Sequence, residues 1–347
     1  MFSVFNDIEK VKKKWPSVAS VFMNYEFINC YVKKNLKTEH IFFIYKNELL
    51  VYAHFFKLRF NKAKNYLNKF LFSSTLLKLL NIRVLYLNNS YITNVPSFFS
   101  KDKIDVDHLL QSFNKAYSIA IIPDFLLNKS KYSKLDLLKI DVEEEMILSI
   151  RENWNSFNDY IDSLKTKYRK KVNKIFKETK SISVINLNEH DILKLKCEMQ
   201  SLFDQVVAKS SFNGPNFEIL TLSSLVKNNF AKVNGYYQDE KLIGFSSEIE
   251  SNDCLYSYFV GFDTDLNKSV PIYGRILLEN ILNAINLKKK ELLLGRTANE
   301  FKSNFGAEPK QSTVYIHVKN KFLRYVISFI VKRLRLNVWI KRSPFKK

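Results

Sequence analysis

The chain has 347 residues, enough for two domains of ordinary size, each with its own core. A hydrophobic content of 46% with 29 Phe and 18 Tyr excludes a mostly disordered chain, and 7 Gly with 7 Pro argue against a loop-rich or repetitive architecture. The net charge of +21 is uneven: +12 over residues 1–140, zero over 141–320 and +9 over 321–347. A basic face of this kind suits nucleic acid, anionic lipid or acidic polymer, and a lysine-rich composition produces it without any partner.

Residues 41–60 predict a hairpin with its turn around Lys46–Glu48, and 61–80 predict a helix. Strand 82–87, a capped helix 105–117 and a buried strand 119–125 follow. Together these form an α/β unit ending near residue 140. A second unit begins with strand 143–150. Asn155 or Ser156 then caps a long helix running to about Thr179, with eight basic side chains and one acidic within 165–180. Its apolar face is Phe157, Tyr160, Ile161, Leu164, Tyr168, Val172, Ile175 and Phe176. Strand 182–187 and helices 189–209 and 217–228 come next, the helices joined by a loop containing Asn213-Gly214-Pro215. Strands 230–238, 241–250 and 254–262 have connections short enough for an antiparallel meander. Helix 272–287, strand 291–295, a short helix 298–305 and strand 312–318 complete the unit.

The stretch Leu292–Pro309, LLLGRTANEFKSNFGAEP, brings a guanidinium (Arg296), a hydroxyl (Thr297) and an ammonium (Lys302) out at a strand-to-helix junction. Gly306 is placed where a helix end prefers positive φ. In open α/β sheets such junctions are where anionic ligands bind. Cys30, Cys197 and Cys254 are far apart with no CxxC, and five histidines are scattered, so neither structural zinc nor catalytic metal is expected. The first 20 residues lack a signal-peptide core and no 18-residue apolar run exists, which predicts a cytoplasmic protein.

Two motifs carry a family resemblance. WNSFNDYIDSLKTKYRKKVNK (154–174) and LGRTANEFKSNFGAEP (294–309) are similar to the paired motifs of FemAB-like, peptidoglycan biosynthesis/recognition (BioF2-like) acyltransferases of the GNAT superfamily. The resemblance covers residues 142–320 and implies an α/β (α+β) fold, a mixed sheet flanked by helices. The chain would then divide into a degenerate GNAT-like lobe over 1–140, an acyltransferase lobe over 141–320 and a basic tail over 321–347. It further implies an enzyme that moves an acyl group from an activated carrier to an amine or hydroxyl, with acyl-coenzyme A as co-substrate and no metal. The acceptor would be a cell-envelope precursor, a polysaccharide or a small metabolite. The start of helix 272–287 would receive the carrier's pyrophosphate, through Tyr273, Gly274 and Arg275. VPIYGRI has one glycine where the family's phosphate loop has several, which keeps an aminoacyl-tRNA donor open.

Acyl transfer to an amine needs a base and an acid. Glu248 in the middle strand is the candidate base, and Tyr256 and Tyr258 on the next strand are the candidate proton donors. Arg169, Arg296, Thr297 and Lys302 would hold anionic substrate, which requires Arg169, Arg296 and Lys302 to meet in one cleft. His317 reads as a strand residue satisfied locally, and Cys254 has no neighbouring base. The tail carries Phe322, Tyr325, Val326, Phe329, Ile330 and Leu334 at helical spacing. Arg324, Lys332, Arg333 and Arg335 lie between and after them, with Trp339 near the end and no acid. That is the profile of a helix in an anionic membrane interface, against which stands simple docking on the core. A non-catalytic module binding anionic polymer or membrane is the reading from another class.

Overall fold

A computed structural model describes residues 2–46, 48–57, 82–92, 94–113, 117–127, 135–209, 217–332, 336 and 338–346. The helix expected over 61–80, the loop at Asn213-Gly214-Pro215 and the tail residues Arg333, Leu334 and Arg335 lie outside them.

In chain order the elements begin with β1 (Ser3–Phe5), α1 (Tyr25–Lys34), β2 (Glu39–Tyr45), β3 (Leu49–Lys57), β4 (Arg83–Tyr86) and β5 (Phe98–Ser100). Then come α2 (Val106–Gln111), β6 (Ile119–Pro123), α3 (Asp124–Leu127), β7 (Leu138–Ser149), α4 (Phe157–Ser163), α5 (Thr166–Glu178) and β8 (Ser183–Leu187). Next are α6 (Glu189–Lys194), α7 (Lys196–Lys209), α8 (Leu220–Lys227), β9 (Lys232–Gln238), β10 (Lys241–Glu250) and β11 (Cys254–Phe262). The last are α9 (Ile272–Asn286), β12 (Glu291–Leu293), α10 (Asn299–Ser303), β13 (Glu308–Val318) and α11 (Lys321–Val331).

The chain forms two compact units. The first is Met1–Val142, Ser211–Phe217 and Ser312–Asn337; the second is Glu143–Ser210, Glu218–Gln311 and Val338–Lys347. In the first, strands run in the order β1-β2-β3-β4-β6-β13, with β5 on β3, all antiparallel except β4 beside β6. The β2–β3 hairpin and the Asp105 cap of α2, whose side chain accepts from the His108 N–H, match the sequence expectation. Ile41, Phe43, Val51, Ala53 and Phe55 close on Leu109, Leu110 and Leu126 to make this unit's core. Here α11 buries Leu323, Ile327 and Val331 against Val84, Ile119 and Ile316, while Phe322 and Tyr325 are 77% and 73% exposed. His317 meets the Tyr117 hydroxyl through Nδ1 at 3.1 Å, a local partner as expected.

In the second unit the order is β7-β12-β11-β10-β9-β8. All pairs are antiparallel except β11 beside β12, which α9 connects. Asp239 and Glu240, both at positive φ (48° and 63°), form the two-residue turn that sets the β9–β10 register. α9 lays Leu277, Leu278, Ile281, Ala284 and Ile285 on Leu148, Leu255 and Leu292. Each such side chain contributes about 1.5–3 kcal/mol when fully buried.

The single helix expected from Ser156 to Thr179 is two. Ser156 and Asp159 form a capping box for α4, and the chain then becomes extended at Leu164 and Lys165 (ψ 143° and 148°). No proline or glycine causes the break. Instead the C-terminal segment supplies replacement partners: the Lys165 N–H donates to the Pro344 carbonyl at 2.8 Å, and the Lys346 N–H donates to the Ser163 carbonyl at 2.9 Å. Phe345 packs beside Trp154 and Tyr160, ring centroids 5.5 and 6.2 Å away, with the Arg151 guanidinium 4.4 Å over its face. Residues 338–346 are thus irregular chain, with one isolated bridge between Phe345 and Leu164, fastened to the second unit.

Candidate functional site

Strands β11 and β12 pair as parallel neighbours over only three positions, Cys254–Glu291, Leu255–Leu292 and Tyr256–Leu293. Beyond these they part. Leu294 and Gly295 remain hydrogen-bonded to Met146 of β7, whereas Ser257 to Phe262 remain on β10. The sheet therefore opens at the carboxyl ends of two parallel strands, where α/β proteins bind ligands. A bulge lies on the same stretch: Ser246 faces Val260 but Glu248 faces Ser257, so one extra residue of β11 is accommodated. The Ser247 hydroxyl donates to the Phe259 carbonyl at 2.7 Å within it.

Glu248 is 2% exposed and points towards α9. It accepts hydrogen bonds from Asn280 Nδ2 at 2.6 Å and from Asn283 Nδ2 at 3.0 Å. Asn280 Oδ1 in turn accepts from the Ser257 hydroxyl at 2.9 Å. Burial pushes the Glu248 carboxyl above its ordinary range, and the two asparagines pull it back. Ser257 faces α9, so Tyr256 alternates to the other side of the sheet, and the Tyr258 ring lies 6.0 Å from the Tyr256 ring despite the bulge. Tyr258 lies 4.3 Å from the Phe259 ring, which packs on Phe203 of α7. The three residues nominated for proton transfer are thus close in the sheet but divided between its faces. Asn280 and Asn283 were missed; their signal is two amides on an otherwise apolar helix face.

At the start of α9, the Tyr273 N–H donates to Asn267 Oδ1 at 2.8 Å, and the ring is stacked between Phe262 and Phe301. Burial raises its phenol. A Cβ on Gly274 would lie 3.0 Å from Ile175, so this glycine serves the close crossing of α9 and α5. The Arg275 side chain donates through Nε to Glu279 at 2.6 Å and lies 5.1 Å over the Phe176 ring. A pyrophosphate cradle needs several free backbone N–H groups and an uncommitted cation. Here the Tyr273 N–H and the Arg275 guanidinium are both engaged within the protein, and the several glycines of the family's phosphate loop have no counterpart in VPIYGRI.

In the 294–309 motif, Gly295, Thr297 and Ala298 all have positive φ (68°, 69° and 51°), a tight turn ahead of α10. Lys302 is 2% exposed, and its ammonium donates to the Gly295 and Arg296 carbonyls at 3.1 and 2.9 Å, which holds that turn. Burial pushes Lys302 down to about 7, against the attraction of Glu145 and Glu143. Glu145 of β7 is likewise buried and pushed up to about 7, while Arg296, Lys310 and Lys302 pull it down. Arg296 and Lys302 are therefore together, with Glu145 as a partner that sequence did not single out. Arg169 is not joined to them by any contact found among the described residues: its guanidinium reaches Asp162 and the Leu164 carbonyl, each at 3.5 Å. The two motifs do meet, however. Lys167, Tyr168 and Lys171 of α5 and Glu300, Phe301 and Asn304 from the other line one recess of about 470 Å³, with Arg342 of the C-terminal segment. Cys254 has its thiol against Glu291 at 3.7 Å and raised by burial, unsuited to nucleophilic attack. Among the described residues no group of His, Cys, Asp and Glu could hold a metal ion, and no helix is long and apolar enough to cross a membrane.

No family model matches the chain. The solved structures that share its fold at low identity include two of similar description. One is the C-terminal DUF2156 domain assigned to a lysylphosphatidylglycerol synthetase of Agrobacterium fabrum, 10% identical, with TM-score 0.52, covering 94% of this chain and 95% of that one. The other is L-PGS from Bacillus licheniformis, 12% identical, with TM-score 0.52, covering 97% and 98%. A curated relative, UPF0521 protein A of Dictyostelium discoideum, is 36% identical over 69 residues, 74% of that protein and 20% of this chain. The chain has the GNAT-like, FemAB-type fold that its motifs imply and, over that fifth of its length, belongs to the UPF0521 family, whose name states no activity.

Proposed function

We propose that the second unit is an acyltransferase that moves an acyl or aminoacyl group from an activated carrier to an amine or hydroxyl. The observation that carries this reading is the opening between β11 and β12, beside the bulge, on a stretch of β11 whose far end at Phe262 stacks on Tyr273 of α9. A carbonyl placed there meets strand edges no longer paired to each other, and a nucleophile can approach along the gap. Attack by the amine or hydroxyl forms the carbon–nitrogen or carbon–oxygen bond and an oxyanion, and the nucleophile gives up one proton; collapse expels the carrier's sulfur or oxygen, which takes up one proton, so the transfer is proton-neutral. Tyr258 and Tyr256 are assigned to the proton that the carrier takes up. Glu248, committed to two asparagines, is assigned to holding α9 against the meander. Arg296 and Lys302 are assigned to shaping the turn that borders the opening.

Acyl-coenzyme A is the first donor to test and charged tRNA the second, since the α9 start lacks the glycine cradle. Acetyl-coenzyme A and charged tRNA titrated at two salt concentrations separate them. Tight, salt-sensitive binding of tRNA alone assigns the tRNA donor, because each phosphate contact steepens the salt dependence. Saturable binding of acetyl-coenzyme A assigns the other. Binding of neither contradicts the proposal. The Phe322 and Tyr325 rings exposed on α11, beside Lys321 and Lys332, support a second element of the reading, attachment to an anionic membrane surface that would carry a lipid-linked acceptor.

A further inference from the structure

The recess of about 470 Å³ lined by Lys167, Tyr168, Lys171, Phe301 and Arg342 is outside the reaction just assigned. We propose that it is a binding site for a phosphate-bearing group, completed by the arginine that the C-terminal segment delivers.

The charge balance of the recess is the first argument. Two lysines and an arginine surround it against one carboxylate, Glu300, which already pairs with Arg342. Lys171 lies 5.1 Å over the Phe301 ring, so its ammonium is held at the wall rather than waving in solvent. Burial, then Arg342 and Lys167, press this ammonium towards the neutral form, and Glu300 opposes them. A dianion between the three cations removes that repulsion, and an arginine fork suits phosphate oxygens.

The second argument is how Arg342 gets there. Its backbone N–H donates to the Ser303 hydroxyl at 3.2 Å, and Lys165 grips the following residues through the Pro344 and Ser343 carbonyls at 2.8 and 2.9 Å. Phe345 fills the space over Gly306, leaving no room for a side chain on that glycine. With Trp339 Nε1 donating to Glu144 at 3.0 Å, the segment is fastened on both sides of Arg342, so the backbone that carries the guanidinium is fixed at the recess. The guanidinium can move from Glu300 to a ligand by rotation of its own side chain alone.

The phosphate can belong to a soluble carrier or to a lipid headgroup, and the experiment has an arm for each. Inorganic pyrophosphate is titrated into the full chain and into Lys171→Met, Arg342→Gln and, as a control of equal charge change, Lys174→Met. Lys174 is on α5 with Glu178 as its partner, 3.6 Å away, and does not line the recess. The lost charge-assisted contacts weaken binding about tenfold in the first two variants and leave the control within about twofold. The same series is run with phosphatidylcholine vesicles containing phosphatidylglycerol. That variant pattern in either arm supports the site and identifies the source. No saturable binding in either arm, or equal weakening in all three variants, overturns it.

Discussion

Lys302 and Glu145 are both buried ionisable groups, and each is shifted by removal from water towards its neutral form. The consequences for stability have opposite signs. Glu145 rises from 4.5 to about 7, so its contribution is fully present below pH 4.5 and is lost as pH rises through 7. Lys302 falls from 10.5 to about 7, so its contribution is present above pH 10.5 and is lost as pH falls through 7. Urea unfolding of Glu145→Gln against the native chain should show the native chain losing about 3 kcal/mol of relative stability across the lower window and nothing above it. For Lys302→Met the loss should run in the other direction, from high pH to neutral, on top of a constant penalty for the Gly295 and Arg296 carbonyls left unbonded. A difference independent of pH would show that neither group is shifted. Arg296 and Lys302 were legible as a pair because they share one motif. Glu145 was not, since it lies about 150 residues earlier in a run of three glutamates in which nothing local marks the buried one. The same motif hid its backbone: Thr297 and Ala298 at positive φ are neither glycine nor asparagine, so no residue type announced the turn.

Among the elements, the meander β9-β10-β11 and helix α9 were readable almost to the residue, because their connections are short and their apolar periods clean. The break between α4 and α5 was not, for its cause is the segment around Pro344, some 180 residues downstream. That docking makes a prediction about Gly306. At φ +96°, with the Phe345 ring where a Cβ would go, Gly306→Ala should cost about 2–4 kcal/mol from strain and overlap together. Phe345→Ala alone should cost about 2 kcal/mol of lost packing. In the double variant the overlap disappears, so the two costs should fall short of adding by about 1 kcal/mol. Strict additivity in chemical denaturation would place Phe345 elsewhere. The helix α11 carries a different test. Leu323, Ile327 and Val331 are its packed side, while Phe322 and Tyr325 are exposed, so replacing both by serine should leave the melting temperature within about 2 °C. Co-sedimentation with anionic vesicles should drop severalfold if these rings enter the interface. Unchanged sedimentation would remove the membrane attachment.

For the molecule as a whole, two α/β units and a GNAT-like fold were legible from element order and two motifs. Pairing partners were harder to read. The strand pattern at 312–318 is clear in sequence, yet its partner is β6 of the first unit, a choice that no local period encodes. The basic tail divides likewise: α11 groups with the first unit and residues 338–346 with the second. The central claim concerns the gap between β11 and β12, and hydrogen–deuterium exchange tests it without knowledge of the acceptor. The full chain is compared alone, with acetyl-coenzyme A and with charged tRNA. One of the two donors should slow exchange at residues 257–262, which border the gap, and Tyr258→Phe should keep that protection while lowering transfer. Protection confined to other segments with either donor, or none with both, would contradict the account.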